Sequence, residues 1–294
     1  MDSVLWYRKK RRSGDFILLA AVYGAAYASV FLLLGMLGYI FFRGYGSFSL
    51  SFFTTVTSSV RETMGIAGNL VNTFYIIVLT LAMAVPLGVG AALYLNEYAG
   101  QTRGVRMIWF AIDILAGIPS VIFGLFGMVF FGNVLGLGYS LANGALTCAL
   151  MVLPLVVGNT RTALEAVPDG YRQGALGLGA TKIYMIRTIL LPAAGNGILT
   201  GVILAVGRIA GESAALLFTA GSARFLWKQK AGIWESIAGF RDKIFTSGGT
   251  LTVELYLQMQ KGEYGMAFAI ACVLMGMIFL MNFLLKLVCA NGKQ

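Results

Sequence analysis

Apolar positions in this chain come in long unbroken runs rather than in the periodic stripes of a water-soluble fold. The first run, Phe16 to Phe42, holds 27 residues without a charge. About 20 apolar residues cross a bilayer core as a helix, so this run spans with room to tilt. A secretory signal is the competing reading, because Ala26-Tyr27-Ala28 resembles a cleavage site. Against it, the run continues 14 residues past Ala28, whereas signal cores stop at about 15 residues. A second crossing is expected within Leu70–Leu95, where neighbouring helices can accommodate Pro86 and Gly88. Ile114 to Thr160 gives 47 uncharged positions, too many for one crossing. Gly132-Asn133, Gly136, Gly138 and Asn143-Gly144 supply turn chemistry in its middle, which predicts a hairpin of helices over about 107–131 and 140–160. A fifth span is expected from about Ala193 to Ala220 and a sixth from Tyr264 to Leu285. The pattern predicts an all-α integral membrane protein of about six transmembrane helices, with a basic segment 1–15 ahead of a membrane domain 16–294.

Composition supports this class: 58% of the 294 residues are hydrophobic and 12% charged, about half the charged share of a soluble domain. The formal charge of +10 is therefore a topology signal, because Lys and Arg collect on the cytoplasmic side. Thirteen of the 22 lysines and arginines fall on segments sharing a side with the N-terminus, eight on the other side, and Arg208 lies inside a span. The cluster Arg8-Lys9-Lys10-Arg11-Arg12 precedes the first helix, so both termini are expected in the cytoplasm of a multi-pass cytoplasmic-membrane protein. Residues 221–263 then form an external loop carrying Trp227, Trp234 and Tyr256, and 159–192 a cytoplasmic one. A nucleic-acid partner has no soluble basic domain to bind. With no His in the chain, His-based catalysis and His-ligated metal sites are excluded. Cys148, Cys272 and Cys289 lack metal-ligand spacing and read as packing residues. The string Gly174–Gly179 followed by Ala180-Thr181-Lys182 lacks the Gly-Lys step of a phosphate loop. No enzyme activity and no cofactor are expected, and any nucleotide energy must come from another chain.

The segment 165–192 carries the most local information. Pro168-Asp169 is a helix start and Gly179 a helix stop. Thr181 can cap a second helix that Pro192 would end or kink. Tyr171, Ala175 and Leu178 fall at i, i+4 and i+7, a narrow apolar face, with Gly174 and Gly177 keeping the surface low. A short helix of this kind between two spans suits docking into a partner's groove.

This segment resembles the coupling motif of ABC importer permeases, E-A-A-x-x-x-G, nine residues, then I-x-L-P. The chain has Gln173-Gly174-Ala175, three residues, Gly179, nine residues, then Ile189-Leu190-Leu191-Pro192. It departs at Gln173-Gly174, where the family most often carries Glu-Ala. Arg208 to Ala220 (RIAGESAALLFTA) and Thr250 to Tyr256 (TLTVELY) resemble the phosphate-specific permeases of the PstA family. The resemblance runs from the first span to the last. It implies a type I ABC importer permease (MetI-like) architecture, with coupling helices over about 165–192 and Tyr171, Gln173, Ala175, Leu178 and Gly179 at the ATPase contact. It further implies ATP-driven import of inorganic phosphate by alternating access. The implied partners are a second homologous permease (PstC-like), two copies of an ATPase (PstB-like), an extracytoplasmic phosphate-binding protein (PstS-like) and membrane lipid. An ABC permease for another oxyanion, sulfate or molybdate, is the alternative; a secondary carrier would leave the coupling segment unexplained.

Two charges inside the fifth span stand out. A cation buried in a membrane helix costs several kcal/mol unless paired or hydrated, so Arg208 is expected to face the bundle or a watery path. Glu212, one turn on, can meet it on the same helix face. The pair is either structural or part of an anion path. Gly197 and Gly201, then Gly207 and Gly211, are spaced for close helix approach. Asp113 reads as a capping or packing carboxylate.

Overall fold

A computed structural model describes residues 13–58, 63–100, 102–224, 239 and 242–291. The Arg8–Arg12 cluster, Trp227 and Trp234 lie outside the described residues. Among those described, five helices are long and apolar enough to cross a membrane, and a bent helix pair makes a sixth crossing if counted as one span.

Helix α1 (Ser13–Gly44) is followed by a short α2 (Leu50–Thr54) and a two-stranded antiparallel ribbon, β1 (Val56–Ser58) with β2 (Thr63–Ile66), Val56 opposite Ile66. Helix α3 (Ala67–Leu93) keeps Pro86 inside it and runs into a π-helical turn, Tyr94–Tyr98. The expected helix over 107–131 is two helices instead: α4 (Arg103–Gly117) and α5 (Ser120–Gly127), bent by 98°. The break is at Ile118-Pro119, where the ring of proline pushes the preceding residue out of the helical region; Ile118 is extended at φ −70°, ψ 131°. A π-helical segment, Met128–Val134, continues α5, and Gly136 (φ +70°) and Gly138 (φ +55°) turn the chain. Gly132, Asn143 and Gly144 lie inside helices rather than in that turn. Ser140 then caps α6 (Leu141–Glu165), its hydroxyl accepting from Asn143 N–H at 3.2 Å.

Helix α7 (Asp169–Gly177) and the one-turn α8 (Lys182–Met185) come next. Pro192 does not end this second helix. A π-helical turn, Ile186–Leu190, carries it into α9 (Leu191–Gly211), and Pro192, which lacks the N–H a regular repeat would use, follows directly on that irregular turn. The fifth span thus starts at Lys182 and stops at Gly211, ahead of the expected Ala220. Glu212 is extended (φ −79°, ψ 121°), and a separate α10 (Ala214–Thr219) lies beyond it. Helices α11 (Leu251–Gln260) and α12 (Tyr264–Asn291) complete the chain.

Helix α6 is the axis of the bundle. Cys148, Met151, Val152 and Val156 on it meet Ile76, Ile77 and Ala84 of α3 and Ala205, Val206 and Ile209 of α9 in one buried core. Small residues set the approach: Gly88 faces Val156 at 2.8 Å from where a Cβ would sit, and Gly201 faces Asn159 at 2.8 Å. Gly197 likewise backs onto Ala163. Gly207 and Gly211 meet nothing and face open space. Helix α12 packs beside α9 and α11, and α1 touches α12 near Gly44, with Tyr39 edge-on to Phe268 at 5.6 Å. The rest of α1 exposes Phe16, Ile17, Phe31 and Phe42, which suits lipid as the surrounding solvent.

The described part of 221–263 is no solvent-filled loop. At the end of the bundle where α3 and α6 begin, Asn69 and Asn72 donate their amides to Gly249 O at 3.0 and 3.1 Å. Gly248 N–H donates to Ala220 O (2.9 Å) and Leu141 N–H to Thr246 O (3.1 Å). Leu251 and Val253 are buried beneath this seam.

Candidate functional site

Two places carry groups the fold alone does not require. The first is the corner between α6 and α9, at the end of the bundle where α3 and α6 finish. Helix α7 ends as its sequence prescribes. Gly179 has φ +81°, Ala180 N–H donates to Ala175 O and Gly179 N–H to Leu176 O, both at 3.0 Å, a Schellman closure. Thr181 Oγ1 then caps α8, accepting from Tyr184 N–H at 3.3 Å. Tyr171, Gln173 and Leu178 are exposed, Leu178 at 91%. Ala175 is not on their face: at 6% exposure it packs into a cluster with Leu164, Val167, Met185, Ile186 and Leu190. The i, i+4 spacing of Tyr171 and Ala175 places them on neighbouring rows, but α7 lies on the bundle so that Ala175 faces inward. The exposed surface of α7 and its cap therefore includes Tyr171, Gln173 and Leu178 and omits Ala175.

A charged group unforeseen from the sequence holds this corner. Arg172 reaches from α7 to Glu97 on the π-helical turn after α3, its Nη2 3.1 Å from Oε1, with side-chain exposures of 17% and 7%. The same guanidinium donates to Leu164 O (2.8 Å), which also accepts from Val167 N–H at 3.2 Å, to Val167 O (2.9 Å) just beyond α6, and to Asp169 (3.1 Å). Asn96 donates to the same Glu97 oxygen at 2.8 Å, and Lys182 Nζ to Glu97 O at 3.4 Å. Arg172 thus joins α3, α6 and α7 in one network.

The second place is the opposite end of α9. Arg208 occupies its last turn and is exposed, on a stripe with Asn196, Thr200, Leu204 and Gly211. Among the described residues it makes no ion pair. The expected meeting with Glu212 does not occur, because the helix stops between them. The Glu212 carboxylate instead accepts from Ala215 N–H at 3.0 Å, at the start of α10, and its carbonyl accepts from Thr252 Oγ1 at 2.8 Å. A buried pair lies nearby in sequence order: Arg224 Nε donates to Glu254 Oε2 at 2.6 Å, and Gln258 Nε2 to Glu254 Oε1 at 2.6 Å, with Glu254 at 1% exposure. Glu254 and Gln258 share an i, i+4 face, but nothing in the sequence points to Arg224 as their partner. Asp113 is exposed on α4 and neither caps nor packs.

Residues 84–290 match the family model described as the binding-protein-dependent transport system inner membrane component. The probable ABC transporter permease protein YqgI of Bacillus subtilis is 38% identical over 212 residues, 72% of this chain and 70% of that protein. The phosphate transport system permease protein PstA of Haemophilus influenzae is 36% identical over 216 residues, 74% of this chain and 76% of that one. Among solved structures, a bacterial alginate ABC transporter aligns with TM-score 0.63 at 16% identity over 92% of this chain and 93% of that one. An inward-facing methionine ABC transporter, MetNI, aligns with TM-score 0.55 at 18% identity over 80% and 96%. These likenesses give the fold, and the sequence relatives give the class. This chain belongs to the binding-protein-dependent transport system inner membrane component family, as a membrane-embedded permease of an ABC importer.

Proposed function

We propose that this permease imports inorganic phosphate, with Arg208 on the anion's path and the α7 corner receiving the ATPase. The observation that carries the reading is Arg208: a guanidinium in the last turn of α9, the one charged residue of that helix, open to its surroundings and without a carboxylate partner among the described residues. A charge at such a place is costly against lipid and marks a watery, ligand-bearing or partner-facing surface. Guanidinium geometry matches the oxygens of a phosphate. Asn196 and Thr200 continue the same stripe with neutral hydrogen-bonding groups, and Gly207 and Gly211 leave room beside it. Relatives named as phosphate transport permeases support phosphate as the substrate in this reading.

In this reading the stripe faces a PstC-like second permease, one of two PstB-like ATPases binds at the cytoplasmic α7 corner, and a PstS-like protein delivers phosphate at the external end. ATP binding closes the ATPase pair and rocks the two permeases between outward-open and inward-open forms. The test is phosphate uptake per assembled complex. Arg208→Gln removes the charge and keeps hydrogen-bonding capacity on a shorter side chain, so assembly should persist while uptake falls at least tenfold. Unchanged uptake would remove Arg208 from the path, and preferential uptake of sulfate or molybdate by the native complex would replace phosphate with another oxyanion.

A further inference from the structure

A cavity of about 480 Å³ opens at the α7 end of the bundle, and the coupling and path residues above do not line it. Its wall includes Asn96 and Gly100 beyond α3, Arg106 and Trp109 of α4, and Arg161 and Glu165 of α6. The Arg161 guanidinium lies 4.3 Å from the Trp109 ring centroid and 2.7 Å from the Glu165 carboxylate, which fix its plane. Arg106 is exposed and makes no ion pair among the described residues. Two guanidiniums against one carboxylate leave this wall positive. The first turn of α4, where Thr102 caps Val105 N–H at 3.3 Å, adds the positive end of a helix dipole. The chemistry selects an anion with several oxygens.

The surroundings say which anion. Helices α3 and α6 both finish beside the cavity, so it lies at the boundary of the hydrocarbon zone. Tyr94 and Tyr98 stack there at 6.3 Å, and Lys182 Nζ lies 5.4 Å from the Tyr98 ring centroid. Aromatic rings interleaved with cations are the signature of a headgroup region. From Arg106, α4 presents Met107, Phe110 and Ile114 outward along one exposed row toward the apolar zone. A small soluble anion has no use for that row; an acyl chain does.

We propose that the cavity holds the phosphodiester headgroup of an anionic membrane phospholipid, with Arg106 and Arg161 on the phosphate and acyl chains along Met107, Phe110 and Ile114. Bound there, the lipid ties α4 to the last turn of α6, immediately before α7.

The test uses the full chain reconstituted in vesicles of phosphatidylcholine and phosphatidylglycerol, with one lipid at a time carrying brominated acyl chains. Quenching of Trp109 is read as the difference from a Trp109→Phe variant. Brominated phosphatidylglycerol should quench at about fivefold lower mole fraction than brominated phosphatidylcholine, the scale set by one surface arginine. Arg106→Gln should lower that preference, and Arg106→Gln with Arg161→Gln should abolish it while helix content is unchanged by circular dichroism. Equal quenching by the two lipids overturns the proposal. So does displacement by millimolar inorganic phosphate, which would mark a soluble-anion site, or displacement by an added partner ATPase, which would mark a docking surface. Should the double variant fail to fold, Arg106→Gln decides alone, and an unchanged preference in it overturns the assignment.

Discussion

Removing the Arg172 side chain should release α7 from the bundle without unfolding the spans. In Arg172→Ala, Glu97, 7% exposed, loses its cationic partner, Val167 O loses the guanidinium donor, and Leu164 O keeps only its bond from Val167 N–H at 3.2 Å. Truncating one member of a fully buried ion pair costs about 3–5 kcal/mol. Arg172 is 17% exposed and Asn96 still donates to Glu97 at 2.8 Å. Screening and that remaining bond bring the expected loss to about 2–3 kcal/mol. The loss falls on α7, whose remaining hold is the packing of Ala175 against Met185, Ile186 and Leu190. Local opening should rise by about 30- to 140-fold, at 1.4 kcal/mol for each factor of ten. Hydrogen exchange of the 169–177 amides in the purified full chain measures it, with the α6 amides as internal control. Glu97→Gln combined with Arg172→Met leaves no unpaired buried charge and should recover more than about 1 kcal/mol relative to Arg172→Ala. Exchange that changes less than threefold in Arg172→Ala, or a double variant as open as the single one, would refute the electrostatic account of the corner.

The outward and inward faces of α7 should respond oppositely to charge. Leu178→Asp, at a fully open position, should weaken co-purification with the partner ATPase and leave thermal stability of the chain within about 0.5 kcal/mol; normal co-purification would exclude Leu178 from the docking face. Ala175→Asp should instead destabilise the corner, because it buries an unpaired carboxylate. Orientation is checked by cysteines placed at two exposed positions, Phe245 and Ile183. A membrane-impermeant maleimide should reach position 245 in intact cells and position 183 only after permeabilisation, and the reverse pattern would invert the topology.

Local chemistry was legible wherever a single turn decides it. Pro168-Asp169 and Gly179 bounded α7 because capping and left-handed closure depend on adjacent residues alone. The expected 140–160 helix is α6, Leu141–Glu165, since an unbroken apolar run between a turn and a polar segment has few other solutions. Direction was not legible. Pro86 and Pro154 stay inside helices while Pro119 bends the chain by 98°, and an apolar run reads the same in all three cases. The Arg208–Glu212 spacing carries meaning only on a continuous helix, and α9 stops at Gly211. Arg172 with Glu97 and Arg224 with Glu254 are 75 and 30 residues apart, so only the fold can pair them.

The α7 corner also shows how helical repeats are adjusted to bring distant groups together. An i→i+5 turn inserts one residue into the α-helical repeat and so rotates the next stretch of helix by about 100°, one residue's share of a 3.6-residue turn. Two of the three spans that meet α7 carry such a turn at the end facing it, Tyr94–Tyr98 after α3 and Ile186–Leu190 before α9. The first bears Glu97, which holds Arg172. The second bears Ile186 and Leu190, which pack with Ala175. In each case a residue that binds α7 is on the irregular turn itself, and Met185 of α8 and Leu164 of α6 add contacts from regular helix. An uninterrupted α-helix would present a different residue at each of these points, and apolar periodicity assumes that regular repeat throughout. The Glu97 ion pair and the Ile186 and Leu190 contacts that help seat α7 therefore have a common origin: one inserted residue in each of these two helices.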